Sequence, residues 1–165
     1  MTIPLPMARG DTWPSGTQGS PPADIRGMTM DTPKGVRLRL VRNGGSTILS
    51  GCQAVEWMSG AGSAAAWVGD VQKNSTAKNE AFAGVVDHVY AEKNKGVAVG
   101  ALFWMIEHGI AYIESSGTSI VHGSKLAPEA GVGLAHQATF TAVCGVALQT
   151  QATDARSTLA YLRKN

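Results

Sequence analysis

Charge is scarce in this chain. Asp, Glu, Lys and Arg make up 16% of its 165 residues, against roughly 25% in an ordinary globular domain. The formal net charge of +2 is too small to argue for nucleic acid as a partner. Cysteine is rarer still. Cys52 and Cys144 are the two present, far apart and in no metal-spaced pair, so they read as buried thiols in a reducing compartment rather than a disulfide framework. No apolar run approaches the roughly 20 residues of a transmembrane helix, and the N-terminus lacks the basic and apolar regions of an export signal. These absences lead us to expect a soluble protein made in a cytoplasm, without membrane or nucleic acid among its partners.

Catalytic patterns are missing as well. His88, His108, His122 and His136 occur in no ligand spacing such as HxH or HxxxH, which leaves no expected metal site. There is no GxSxG, CxxC or GxxxxGK[ST] motif. A partial G-x-G-x-x-A at Gly60, Gly62 and Ala65 is followed by a short strand and a polar loop, where dinucleotide binding needs a helix. Glu107 and Glu114 flank a predicted hairpin turn and could face each other as a glycosidase-like pair, but solvated hairpin ends explain them more simply. The expectation is no catalytic residue, no cofactor and no enzyme.

Glycine is what the chain has in abundance, at 20 residues, and it punctuates strands. VRLRLVRN from Val36 alternates Val36, Leu38 and Leu40 with Arg37 and Arg39, the period of a half-buried strand. Asn43-Gly44-Gly45 supplies a turn. Further strands are predicted in CQAVEWM, AAAWVGDV, AFAGVVDHVYAE, AVCGVALQT and RSTLAYLRK. The densest apolar stretch, ALFWMIEHGIAYIES from Ala101, reads as a buried hairpin with Gly109 near its turn, since mid-helix glycine costs roughly 1 kcal/mol. Turn signals every 8 to 12 residues favour a sandwich or barrel over βαβ units. The fold class expected is therefore all-β, a single antiparallel barrel or sandwich.

An internal echo suggests that the domain holds two similar β units. GSTILSG at Gly45 to Gly51 matches GTSIVHG at Gly117 to Gly123. Each copy follows an alternating strand and precedes an x-G-V strand, AFAGVV around Gly84 and AVCGVA around Gly145.

Ahead of this domain, residues 1–34 contain six of the seven prolines and no periodic apolar run. Ile3, Leu5, Met7, Trp13, Ile25, Met28 and Met30 are nevertheless spaced along the segment. We read it as a long extended arm that drops those side chains into pockets on a neighbouring surface, losing little backbone entropy as it docks. The β domain then spans residues 35–165. Arg37, Arg39 and Arg42 on its first strand are a candidate basic contact face.

From VRLRLVRN with NGG, through STILSG, ALFWMIEHGIAYIES and SGTSIVHGSKL, to AVCGVALQTQ and TLAYL, the order of themes resembles the head decoration (cement) proteins of tailed bacteriophages. The resemblance covers about Val36 to Leu162. It implies a virion protein on the outer capsid surface, seated as a small homo-oligomer, often a trimer, and tying neighbouring major capsid subunits together through its arm. Two alternatives stand beside it. One is another phage structural protein, of tail or neck. The other is a small ligand-binding barrel or enzyme with Trp57, Trp67, Trp104 and Tyr112 around a cavity.

Overall fold

The apolar stretch after Ala101 forms one continuous strand. In a computed structural model of the chain, which describes residues 9, 12, 26–58, 69–75, 81–92, 96–115, 119–130, 134–136, 143–151 and 157–163, Leu102–Glu114 is a 13-residue strand, β6. The predicted hairpin is thus corrected to a single strand. Gly109, at φ +100°, marks a bulge within it: Arg37 faces His108 and Leu38 faces Ile106, skipping Glu107. A bulge draws on the same glycine and polar residues as a turn, yet it bends the strand without reversing it.

The other elements are β1 (Thr29–Asp31), β2 (Arg37–Asn43), β3 (Ala54–Trp57), β4 (Asp70–Lys73), β5 (Phe82–Val86), α1 (Val89–Glu92), β7 (Lys125–Pro128), β8 (Leu134–His136), β9 (Gly145–Ala147) and β10 (Ser157–Leu162). The short α1 replaces the end of a predicted strand, with Tyr90 N donating to Asp87 O at 3.1 Å.

The all-β expectation holds, and the sheet closes on itself. β2 pairs with β6, β6 with β5, β5 with β3 and β3 with β4, all antiparallel. β4 then returns to β2 in parallel, giving a closed five-stranded barrel. The second half of β6 repeats the scheme. It pairs with β10, β10 with β9, β9 with β7 and β7 with β8, again antiparallel. A parallel bridge from Ser115 to Leu134 completes that ring. The two units expected from the sequence echo therefore do not line one barrel together; each builds its own ring, and β6 belongs to both.

Equivalence between the rings extends to single hydrogen bonds. Cys52 N donates to Val86 O at 2.8 Å, as Gly123 N does to Ala147 O at 2.9 Å. Leu49 and Val97 exchange two backbone bonds, as Ile120 and Gln151 do. A Cβ on Gly84 would lie 2.4 Å from Ile106 O, and one on Gly145 would lie 2.7 Å from Tyr161 O. The echo read in step across GSTILSG and GTSIVHG is corrected by one residue. Leu49, not Ile48, is the counterpart of Ile120, because the second loop is one residue shorter.

Packing follows the same correspondence. Val41, Leu49, Val55, Val71, Val86 and Met105 are buried in one cluster, and their counterparts Ile113, Ile120, Leu126, Leu134, Ala147 and Ala160 are buried in another. Burying a Val, Leu, Ile or Met side chain contributes about 1.5–3 kcal/mol, so these interiors outweigh any single surface ion pair. The second cluster also takes in Leu38, Leu40, Val85, Trp104 and Ile106. Strand β2 is consequently covered on both faces, which is why Leu40 and Val41 are both buried where strict alternation would expose one.

Candidate functional site

Arginines on and near β2 are spent on ion pairs within the chain. Arg37 Nε donates to Asp31 Oδ1 at 2.9 Å, and that hydrogen bond holds the Asp31 carboxyl below its ordinary range. Arg39 Nη2 lies 3.1 Å from Glu107 Oε1, its guanidinium 5.9 Å from the centroid of Trp57. Arg42, on the opposite face of the strand, donates through both Nε and Nη2 to buried Asp70. Arg26 shares that carboxylate at 2.9 Å. The three arginines named as a contact face are therefore split, Arg37 and Arg39 on one side of β2 and Arg42 on the other.

The Pro-rich segment meets the body at two described places. Near its end, Met28 and Met30 flank Thr29 along β1, an edge strand added to β2; Gly27 N donates to Leu40 O and Leu40 N to Met28 O, both at 2.8 Å. Met28 is exposed, and Met30 packs against the apolar cluster. Far upstream, Arg9 forms a two-point ion pair with the buried carboxylate of Asp87. Ile3, Leu5, Met7, Trp13 and Ile25 lie outside the described residues. Sequence reasoning missed Arg9 and Asp87, since nothing local links residues 78 positions apart.

Buried acids serve the fold. Glu56 accepts from Gln72 Nε2 and Ser75 Oγ, each at 2.8 Å, while Asp70 and Asp87 face arginines. Glu107 is buried beside Arg39 and Glu114 sits at the far end of β6, a separation on the order of 20 Å at 3.3 Å per residue. They do not make a glycosidase pair. Among the described residues no group of three His, Cys, Asp or Glu could hold a metal ion. No helix there is long and apolar enough to cross a membrane. Both cysteines are buried and neither is in a disulfide, and burial pushes the Cys144 thiol up to about 12. Of the aromatic residues considered for a cavity, Trp104 is buried, Trp57 is half-buried, Tyr112 is exposed, and Trp67 lies outside the described residues. A depression elsewhere is lined by Gly45, Ser46, Thr47, Gln72, Lys73, Asn74 and Ser75.

The most distinctive exposed feature is apolar. Ile110 and Tyr112 point outward from β6, Tyr161 from β10 and Val146 from β9. Cross-strand register joins them: Ile110 faces Tyr161, and Tyr161 faces Val146. Two histidines edge the group. His88 meets Tyr112 edge-on with ring centroids 5.0 Å apart, and Tyr161 Oη lies 3.0 Å from His108 Nε2. Apolar patches with polar margins mark interaction surfaces. Its sequence signal was IAYI, two apolar side chains on the face that should have been polar.

No protein-family model and no curated protein matches the sequence. Among solved structures, the chain is similar in fold to the head fiber gp8.5 N base of bacteriophage phi29, with a TM-score of 0.51 at 11% identity over 76% of this chain and 92% of that one. What the two share at that identity is an all-β fold.

Proposed function

We propose that this chain is a structural protein of a phage virion. In this reading it binds the outer surface of the capsid as a small oligomer, with a trimer favoured. Its N-terminal arm ties neighbouring major capsid subunits together. It acts by binding, not by turnover. The observation that carries the reading is the fold, which is similar over nearly the whole length of a phage head fiber base. Arg9 on Asp87 adds that one point of the arm is ion-paired to the body. Arm and body contacts made together raise the effective concentration of each, so individually weak contacts suffice.

Electron microscopy of empty shells mixed with the purified protein tests this. The full chain should add density at fixed outer positions. A chain lacking residues 1–25 should stay folded and bind about 100-fold more weakly. Shells left bare by the full chain would overturn the reading, and density at a neck or tail would move the protein to another part of the virion.

A further inference from the structure

The exposed face of the second ring has a counterpart in the first, and there it is covered. Backbone equivalences already described set Ile110 against Leu38, Tyr112 against Leu40, Tyr161 against Ile106 and Val146 against Val85. In the first ring these residues are 0%, 2%, 0% and 0% exposed; in the second they are 46%, 43%, 39% and 38% exposed. The apolar chemistry is common to both faces while the burial is not. Leu38, Leu40, Val85 and Ile106 are buried in the same apolar cluster as the second ring's interior residues Ala111, Ile113, Leu126 and Leu162. One unit's outer face is thus sealed in a core shared with the other unit, and the other unit's face is left open.

We infer that a second copy of this chain covers the face formed by Ile110, Tyr112, Val146 and Tyr161. A unit of this fold is the occupant that the chain itself supplies for the matching face. Repeating that relation between copies is head-to-tail association, which closes into a cyclic oligomer when the rotation allows. Two exposed tyrosines suit such a contact, because they bring large area at low conformational cost and can keep the hydroxyl hydrogen-bonded. The His108 pairing of Tyr161 already does so. The inference gives a surface to the oligomer of the proposed function but does not depend on capsid binding.

Sedimentation of the full chain at tens of micromolar is the test, with shell binding measured on the same samples. The wild type should sediment as an oligomer. Tyr112→Glu with Tyr161→Glu should yield monomers, weakening association about 30-fold or more, while circular dichroism stays unchanged. Should that pair misfold, Val146→Lys at the margin is read in its place and should shift the same equilibrium. Ile48→Glu, exposed on the loop after β2, should leave the mass unaltered. A monomeric wild type, or an oligomer lost with Ile48→Glu and kept in the face variants, overturns the inference. The two ideas fail separately: an oligomer that ignores shells removes only the capsid reading, and a monomer that decorates them removes this inference, and the oligomer with it, while capsid binding stands.

Discussion

At the scale of residues, paired positions in the two rings act as internal controls. Gly84 and Gly145 each leave room for a backbone carbonyl, so an added methyl has nowhere to go. Gly84→Ala should cost about 3 kcal/mol, at the upper end of overpacking, read as a lowered denaturant midpoint. Cys52 adopts φ +69° where its counterpart Gly123 has φ +82°. Gly123→Ala meets no atom within 4 Å, so its cost is conformational alone, about 1–2 kcal/mol. Cys52→Gly relieves the same strain but loses a buried thiol and frees the unfolded chain, and should stay within about 1 kcal/mol of wild type. Cys144 adds a pH effect. Burial pushes its thiol from the ordinary 9.0 up to about 12 in the folded protein. Its contribution is therefore intact below about 9 and is lost as pH rises through that window. Iodoacetamide at pH 8 should spare Cys144 in the native protein and modify it after unfolding. The two tightly packed glycines are legible in the sequence alone, as the x-G-V echo. Cys52 is not, because nothing in its neighbours announces a left-handed residue.

Among the elements, β6 shows best where the sequence could be read and where it could not. Its apolar pattern announced a central strand. Its continuity did not, since Glu107, His108 and Gly109 carry the residues of a turn. What decides the matter is non-local: a Cβ on Gly109 would come 2.7 Å from Gly35 O and 2.9 Å from Val36 Cα, so the glycine is there for close approach of β2. Gly109→Ala should combine that clash with left-handed strain and cost about 3 kcal/mol, seen as a fall in melting temperature. The arginine pattern is another case. Alternation correctly separated Arg37 and Arg39 from Leu38 and Leu40. It could not foresee that Asp31, Glu107 and Asp70, on three different strands, would engage Arg37, Arg39 and Arg42. The apolar outer face was equally hard to see, because Ile110 and Tyr112 look like core residues until their covering is traced.

For the whole molecule, the cluster that runs from Leu38 and Trp104 to Ile113 and Leu162 joins the rings energetically. Heating should give one transition, with calorimetric and van't Hoff enthalpies in agreement; two resolved transitions would show that the rings unfold independently. The number of units was legible in the sequence, while their closure was not. Closure depends on β4 returning to β2 and on Ser115 reaching Leu134, pairings that no local pattern encodes. The shared strand also has a mechanical consequence. A pull that draws the two rings apart along β6 meets ladder bonds lying across the line of force, since antiparallel bonds run perpendicular to their strands. Those bonds are loaded side by side in shear, not unzipped one after another, so the joint is built like a splice in a rope.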